Sequence, residues 1–279
     1  MLYEITEEGI YIKDRSQFNP EHILECGQVF CFEKVGDSFI VYPQDKYAEI
    51  MSYKDGYLIK TTSPQYFIDY FDLKRDYNKI KEDLLKFEIM KKPIEFGYGI
   101  RILNQDLFEV LVSFIISANN NIKRIKMILN NFRSRLGKGE GKFKSFPSLE
   151  DFSACDEQFF RSCGAGYRAS YLVKLFKTIS VEDLEHFRKL DTPALQKQLI
   201  ALSGVGPKVA DCVMLFGYKK GDVFPVDTWI NKVYNQYFSV CSNRAKIRAD
   251  LIEKFGQLSG YAQQYLFYYQ RSNNDSDKN

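Results

Sequence analysis

The segment Leu202–Cys212 constrains the fold of this chain more than any other. Gly204 and Gly206 lie between two stretches of helix-forming composition, and Pro207 stands where a helix begins. This pattern predicts two helices joined by a tight glycine turn, spanning about 196–217. Such a turn lets backbone approach a ligand closely, and its exposed N–H groups suit an anion such as a DNA phosphate. A plain helix–helix corner without a ligand fits the two glycines as well.

Lys208 has an unusual position directly after this turn. It lies in the first turn of the second predicted helix, where the positive end of the helix dipole disfavours a positive charge. A purely structural helix start would favour an acidic residue there, whereas an amine nucleophile must be uncharged to react. Cys212 follows four residues later and therefore shares a helix face with Lys208. We expect the two side chains to line one pocket.

Asp227 is the second candidate catalytic residue. It ends the apolar segment that begins at Val223 and precedes a helical pattern through Tyr237. One interpretation is that Asp227 only caps this helix. The other is that its carboxylate, fixed near a pocket lysine, stabilises the cationic sugar formed when a glycosidic bond breaks.

Composition places the chain among globular proteins. Its 279 residues are enough for two lobes with their own cores, with 45% hydrophobic and 27% charged residues. The six cysteines contain no Cys-x-x-Cys pair, so we expect reduced thiols and no bound metal. The N-terminus lacks a signal-peptide pattern, and no apolar run reaches membrane-spanning length. We therefore expect a cytoplasmic protein without membrane contact. The net charge of +3 neither requires nor excludes nucleic acid.

The chain divides into a strand-rich first third and a helical remainder. Four short segments are rich in aromatic and β-branched residues and are separated by turn signals. They are Ile10–Ile12, Val29–Phe32, Ser38–Tyr42 and Tyr57–Lys60. Later, Asp106 and Glu109 form a capping-box signature ahead of an apolar run, which predicts a central buried helix. We predict an α+β, predominantly α-helical fold: an antiparallel sheet domain over 1–92, helical lobes containing the hairpin over 93–270, and a disordered tail over 271–279.

Five clusters of residues follow one another through nearly the whole chain and together carry a family resemblance. They are Cys26–Phe30, Phe114–Ile125, Gly166–Ala169, Gly204–Cys212 and Gly260–Phe267. The hairpin with its later Asp227 resembles the helix-hairpin-helix Gly/Pro-Asp superfamily of DNA glycosylases. Lys208 within the hairpin looks like that of its bifunctional glycosylase/lyases. The five clusters together resemble the 8-oxoguanine DNA glycosylase (OGG) family, bacterial type.

The resemblance implies a role for each matching residue at the extruded base. Lys208 would attack the sugar C1′ and form a Schiff base, and Asp227 would stabilise the cationic sugar and position Lys208. Gly27 would accept a hydrogen bond from N7–H, which 8-oxoguanine has and guanine lacks. The remaining substrate-binding residues would surround the purine: Phe267 and Cys212 would sandwich it, Gln263 would bond its Watson–Crick edge, and Phe30 and Phe216 would lie beside the pocket.

The resemblance also implies a DNA-binding face. Asn119, Tyr167, Arg124 and Arg168 match residues that fill the gap in the duplex and hold the orphaned base, and Asn120 is a further predicted DNA contact. The two guanidinium forks suit the acceptor edge of cytosine, which implies a preference for cytosine opposite the lesion. Surface solvation is the alternative for both arginines. The run of three asparagines predicts a turn, because Asn is a poor mid-helix residue. Further contacts would come from Gly204, Val205, Gly206, Thr228 and Trp229.

Several departures from the family pattern stand out. Trp229 occupies the position where the eukaryotic pattern has a His that contacts a DNA phosphate. Pro207 replaces the more usual polar residue before the lysine, and Phe216 occupies a pocket-side position where related sequences vary. After Asp227 only Cys241 remains, so the four-cysteine iron–sulfur loop of other superfamily branches is excluded.

The resemblance therefore implies a monomeric base-excision-repair enzyme, associated with the nucleoid during repair, that needs no cofactor. Its partner would be double-stranded DNA containing 8-oxoguanine, which it would excise before nicking the abasic strand by β-elimination. A monofunctional alkylpurine glycosylase would keep Asp227 without needing Lys208. A non-catalytic DNA-binding protein would use the hairpin alone, and a helical protein-interaction module would not bind DNA.

Overall fold

The N-terminal lobe is a single sheet of six short strands. The computed structural model describes residues 3–139 and 143–276, with side chains as far as residue 273. The strands are β1 Tyr3–Thr6, β2 Gly9–Ile12, β3 Phe32–Val35, β4 Ser38–Val41, β5 Ala48–Tyr53 and β6 Gly56–Lys60. They pair antiparallel throughout, in the order β1-β2-β6-β5-β4-β3.

A row of apolar side chains crosses this sheet and forms its core. The register aligns Ile10 with Ile59, Ile59 with Ile50 and Ile50 with Phe39, and all four are buried. Two helices, α1 Pro20–Glu25 and α2 Pro64–Tyr70, contribute side chains to the same cluster. Because side chains alternate across a strand, this register places one apolar face against the helices.

The sheet differs from the sequence-based prediction in three strands. Strands β1 and β5 were not predicted, since neither has a strong apolar alternation: Ile5 is exposed, and β5 alternates only over its first half. Strand β3 begins at Phe32, so the predicted strand Val29–Phe32 is wrong over its first three residues. Those residues are apolar because they are buried beneath the helices, and they form a loop.

Thirteen further α-helices are described after the sheet. They are α3 Tyr77–Leu84, α4 Lys91–Phe96, α5 Leu107–Ser117, α6 Ile122–Leu136, α7 Leu149–Ser153, α8 Glu157–Ser162, α9 Arg168–Phe176, α10 Val181–Phe187, α11 Thr192–Ala201, α12 Pro207–Phe216, α13 Thr228–Tyr237, α14 Arg244–Phe255 and α15 Ser259–Ser276. The predicted α+β fold with a sheet lobe followed by helices is confirmed.

Helix α5 is the central helix that the apolar run predicts. Every residue from Leu107 to Ile116 is buried. Asp106 caps it by accepting a hydrogen bond from the Glu109 N–H at 2.8 Å. The reciprocal half of the predicted capping box is absent from the described contacts. The Glu109 carboxylate instead forms a buried ion pair with Arg133 of α6 at 3.0 Å, which stops that charge from being buried alone.

The helices pack in two clusters. One surrounds α5 and the α11–α12 hairpin, and the other combines α3 and α4 with α13, α14 and α15. Tyr77, Ile80 and Leu84 thus pack with the C-terminal helices. The domain boundary at 92/93 stays a prediction.

The C-terminal end also differs from the prediction. Residues 271–276 continue α15, whereas we predicted a disordered tail over 271–279; residues 277–279 lie outside the described part of the chain. Polar composition suggested disorder, but Arg271 anchors this helix end by donating to the Glu25 carbonyl oxygen. Among the described helices, none is long and apolar enough for a membrane span.

Candidate active site

A cavity of about 1210 Å³ lies where the sheet lobe and the two helical clusters meet. It is more than large enough for a base with its sugar. Its wall is assembled from segments far apart in sequence. They include Gly27, Phe30, Phe114, Ser117, Asn119, Asn120, Gly204, Gly206, Lys208, Asp227, Thr228, Trp229, Arg244, Phe267 and Arg271.

The predicted hairpin forms one side of this cavity. Helix α11 ends at Ala201 and α12 begins at Pro207. Gly204 has φ +83°, and a Cβ there would lie 2.9 Å from the Cβ of Tyr171. Both the backbone conformation and the lack of space therefore favour glycine at this position. A Cβ on Gly206 would meet nothing within 4 Å. The turn therefore leaves open space beside the N-terminus of α12, where a phosphate can approach.

Lys208 extends from the first turn of α12 into the cavity. Its Nζ lies 3.5 Å from the Ser117 hydroxyl oxygen and 5.3 Å from the centroid of the Phe114 ring. Phe114 in turn stacks on Phe216 at 5.3 Å and meets Phe30 edge-on at 5.8 Å. Within the described part of the chain, no carboxylate forms a salt bridge with Nζ. The amine thus lies over the Phe114 ring, half-buried and without a described carboxylate partner.

Asp227 is both a helix cap and a cavity residue. Its Oδ1 accepts hydrogen bonds from the N–H groups of Trp229 and Ile230, each at 2.9 Å. Its Oδ2 accepts none from any described residue. Burial raises the pKa of Asp227, while the two N–H groups and the charges of Lys208 and Arg244 oppose that rise. The capping and catalytic interpretations are therefore compatible, because each oxygen has a separate use.

Cys212 and Phe216 lie behind the cavity wall. Both are buried on α12 and neither is part of the lining. Burial raises the pKa of the Cys212 thiol to about 11, with Lys208 close enough to oppose the shift. The thiol is thus neutral. The expectation that Cys212 and Lys208 line one pocket is not met in this structure, since Cys212 is 3% exposed and does not line the cavity.

Gly27 meets the C-terminal helix on the opposite wall. It has φ +86°, and a Cβ there would lie 3.0 Å from Phe267 Cε1 and 3.0 Å from an Arg271 guanidinium nitrogen. Gln263, one turn before Phe267, is buried, and its Oε1 has no hydrogen-bond partner among the described residues. Gly27 and Phe267 thus come together as predicted, and Gln263 keeps an unused acceptor nearby.

Two buried glutamines that the sequence did not suggest hold Gly27 in place. Gln28 donates to the Arg101 carbonyl oxygen at 2.7 Å and accepts from the Leu103 N–H at 2.9 Å. Gln264 donates to the Cys26 carbonyl oxygen at 2.7 Å. The only sequence sign of these roles is a polar residue within an apolar segment, a signal that many surface residues share.

The asparagine run forms the predicted turn between α5 and α6. Asn119 adopts the left-handed region at φ +50° and is exposed, and Asn121 caps α6 through the Arg124 N–H at 2.9 Å. Tyr167 is 49% exposed and its hydroxyl donates to the Ala118 carbonyl oxygen at 3.3 Å. This edge therefore presents Asn119 and Tyr167 side by side to solvent.

The two predicted DNA-contacting arginines differ. Arg124 is exposed, with one long hydrogen bond of 3.5 Å to the Gly164 carbonyl oxygen. Arg168 is buried, and it donates to the carbonyl oxygens of Ala118 and Asn119, each at 2.9 Å. Arg168 therefore braces the asparagine turn here, which differs from the expectation that it faces a base. Its donors are used by backbone acceptors that an isolated sequence does not reveal.

The remaining predicted DNA contacts lie in the hairpin and at the start of α13. Val205 is buried and its N–H donates within the turn to Leu202 at 3.2 Å, so it is not free for a phosphate. Thr228 is exposed at the cavity rim. Trp229 is half-buried there, with Lys232 Nζ 4.4 Å from its ring. Arg244, which we did not predict, is exposed at the same rim, and no described carboxylate pairs with it.

No group of three or more His, Cys, Asp and Glu side chains among the described residues is arranged to hold a metal ion.

Comparison with protein families decides the relationship. Residues 10–111 match the N-terminal domain of 8-oxoguanine DNA glycosylase, and residues 112–257 match the HhH-GPD superfamily of base excision DNA repair proteins. The chain belongs to the 8-oxoguanine DNA glycosylase family. The predicted family is thus confirmed, and both matched domains fall within the described fold.

Individual members of this family agree with that placement. A probable N-glycosylase/DNA lyase of Methanothermobacter thermautotrophicus is 31% identical over 72% of this chain and 72% of its own length. The Clostridium acetobutylicum 8-oxoguanine glycosylase/lyase, in complex with double-stranded DNA containing cytosine opposite 8-oxoG, is 38% identical. It superposes with a TM-score of 0.93 over 98% of this chain and 99% of that chain.

A more distant neighbour shares only the fold. The 3-methyladenine DNA-glycosylase of Archaeoglobus fulgidus has a TM-score of 0.76 over 94% of this chain but is 17% identical. Overall shape therefore does not separate oxidised-purine from alkylpurine chemistry, and the choice depends on the site residues.

Proposed function

We propose that this protein excises 8-oxoguanine from double-stranded DNA, with cytosine opposite the lesion, and then cleaves the abasic strand as a lyase. The observation that carries the proposal is the amine of Lys208 in a cavity large enough for a base, which the Asp227 carboxylate also lines. The family and the names of its similar members support the same chemistry.

The reaction would begin with extrusion of the lesion nucleotide, which costs a few kcal/mol of stacking and pairing. Asn119 and Tyr167, which are both exposed, would occupy the vacated space. The open turn at Gly206 would hold a phosphate through backbone N–H groups. The extruded purine would then lie between the aromatic ring of Phe267 and the hairpin wall.

Lys208 would displace the base. Its uncharged amine forms a bond to C1′ as the glycosidic bond breaks, and the electron pair of that bond leaves with the base, which takes up a proton. The developing positive charge on the sugar lies beside the Asp227 carboxylate, whose Oδ2 is not used for capping. Loss of a proton from Lys208 and opening of the sugar ring give the Schiff base.

Strand cleavage would follow from the same intermediate. The protonated imine acidifies the C2′ hydrogens, so one of these protons is removed and the 3′ phosphate leaves by β-elimination. An enzyme that used water as its nucleophile would form no imine and would leave the strand intact. Lyase activity and a lysine nucleophile are therefore linked predictions.

The test is single-turnover cleavage of duplexes with 8-oxoguanine opposite each of the four bases, with borohydride added in parallel. We expect fastest excision opposite cytosine and a covalent enzyme–DNA adduct. Lys208→Gln should abolish the adduct and lower excision by about 10,000-fold or more, because the attacking group is lost. Lys79→Gln, on the exposed surface of α3, removes the same charge and should change neither result.

Two other results would reject the proposal. Removal of alkylpurines without borohydride trapping would indicate a monofunctional alkylpurine glycosylase. Salt-sensitive DNA binding that is unchanged in Lys208→Gln and Asp227→Asn, with no cleavage by the wild-type chain, would indicate a binding protein.

A further inference from the structure

Arg271 lies at the base pocket although neither the catalytic residues nor the helical hairpin involve it. It belongs to the last turns of α15 and lines the cavity. Its guanidinium carbon is 5.3 Å from the centroid of the Phe267 ring and 5.6 Å from that of Tyr268. The guanidinium therefore packs beside the ring that would stack on the extruded base.

The two terminal nitrogens of Arg271 have different environments. NH2 donates to the Glu25 carbonyl oxygen, which ties the end of α15 to the end of α1. NH1 is buried and has no hydrogen-bond partner among the described residues. It lies 3.0 Å from the point where a Cβ on Gly27 would be.

An unpaired N–H on a buried cation carries a free-energy cost, so such a group beside a cavity is a strong candidate to meet a ligand acceptor. Anchoring of α15 explains the NH2 bond and the ring contacts. It leaves the NH1 donor unexplained. This unexplained NH1 donor lies beside Gly27, where the resemblance places recognition of the purine N7–H.

We propose that Arg271 determines specificity by donating a hydrogen bond from NH1 to a carbonyl oxygen of the extruded 8-oxoguanine. This inference rests on the proposed function. In 8-oxoguanine the N7–H donor is flanked on both sides by carbonyl oxygens, at C6 and C8. A backbone acceptor at Gly27 with a guanidinium donor beside it is complementary to that edge.

The same bond would act on rate as well as on binding. When the glycosidic bond breaks, the purine keeps the electron pair and its carbonyl oxygens gain negative charge. A fixed cation beside those oxygens is then more favourable than in the ground state, and such a difference accelerates the chemical step. Cleavage of a pre-formed abasic site involves no base, so this step should not need Arg271.

The experiment compares Arg271→Met with wild type on two duplexes with cytosine opposite: one with 8-oxoguanine and one with an abasic site. Methionine keeps an apolar stem against Phe267 but lacks the donor and the charge. We expect single-turnover excision of 8-oxoguanine to fall about 10- to 100-fold, as for loss of one charged hydrogen bond. Cleavage of the abasic duplex should stay within about twofold of wild type.

Two further variants complete the design. Arg271→Lys keeps the charge and one donor, so it should recover part of the loss, and it tests the inference even if the methionine variant does not fold. Arg188→Met removes an arginine that pairs with Glu185 on α10, away from the cavity, and should leave both rates unchanged.

The inference is overturned if folded Arg271→Met excises 8-oxoguanine at the wild-type rate, or if it loses both activities equally. Equal losses would mean that Arg271 only supports the fold. Failure of the proposed function looks different, because the wild-type chain itself would then ignore 8-oxoguanine while cleaving the abasic duplex, and that result rejects both ideas.

Discussion

Asp211 and Asp227 are two carboxylates beside the same hairpin, and their hydrogen-bond partners separate their roles. Asp211, on α12, is almost fully buried. It accepts hydrogen bonds from Arg248 Nε at 2.6 Å and NH2 at 3.0 Å, and from Gln196 at 3.1 Å. Asp227 uses one oxygen for two backbone N–H groups and leaves the other free.

This difference indicates which carboxylate is structural. Burial raises the pKa of both, but the Arg248 guanidinium directly opposes the rise at Asp211. Both oxygens of Asp211 are used in joining α11, α12 and α14, so it has no capacity left for a transient cation. The charges of Lys208 and Arg244 lower the pKa of Asp227, and no described residue forms a salt bridge with it. A charge that forms in the reaction can therefore still be stabilised there.

The largest effect that we expect from changing either aspartate is on catalysis. Asp227→Asn should lower single-turnover excision by about 100- to 1,000-fold, because a fixed charge opposite the cationic sugar is lost. Asparagine keeps an oxygen that can cap α13. A folded variant with wild-type excision would show that Asp227 serves only as a cap.

The same variant should not lose stability at neutral pH. Because the folded-state pKa of Asp227 is raised, its contribution to stability is full below the unfolded-state pKa and is lost as pH rises through the folded-state pKa. Asparagine does not ionise, so that loss disappears. Urea unfolding of both proteins between acidic and neutral pH measures the difference.

Asp211→Asn should have the opposite effects: it should lower stability and leave excision nearly unchanged. Burial raises the pKa of Asp211 as well, but a neutral residue there leaves the Arg248 guanidinium, 23% exposed, without its charge partner. We therefore expect the free energy of unfolding to fall by about 2 kcal/mol. Excision by the folded fraction should stay within about threefold. Urea unfolding gives the first value and active-site titration by borohydride trapping gives the second.

A matched control for this variant is Glu185→Gln. It removes an exposed carboxylate that pairs with Arg188 at 2.7 Å, and should change stability by less than about 0.5 kcal/mol. If Asp211→Asn costs no more than this control, the buried pair contributes little and the contrast between the two aspartates is wrong.

The smallest expected effect is on pH dependence. Excision needs ionised Asp227, so its rate should fall as pH falls through the pKa of this carboxyl, which burial raises from its ordinary value. Arg244→Gln removes a charge that lowers that pKa and should move the acidic limb to higher pH. Lys246→Gln, on the same helix but paired with Asp250 at 3.1 Å, should leave the limb in place.

The sequence predicts best those features that depend on residues close together in the chain. The hairpin, the position of Lys208 and the cap at Asp227 depend on residues within one or two turns, so glycine, proline and capping patterns are sufficient. The central helix α5 was equally clear from its apolar run. By contrast, Val29–Cys31 resemble a strand because buried loops and strands share apolar composition.

The roles of arginines were the least predictable part of the site. The sequence predicts that Arg168 contacts the orphaned base, with surface solvation as the alternative, yet Arg168 is buried against the carbonyl oxygens of the asparagine turn. Arg271 belongs to a polar segment that predicted disorder, yet it reaches Glu25, which is 246 residues earlier in the chain. The acceptors for both come from other segments, and no local pattern identifies them.

The sequence by itself determined the chemistry that this protein can perform: a turn that only glycine adopts, a lysine at a helix start and a carboxylate at another. These features are local, because backbone dihedral limits and capping hydrogen bonds act over a few residues. Only the tertiary structure decided which groups face the base. Gly27, Phe267 and Arg271 become one wall through packing of α15 against α1, and packing depends on shape and burial across the whole chain.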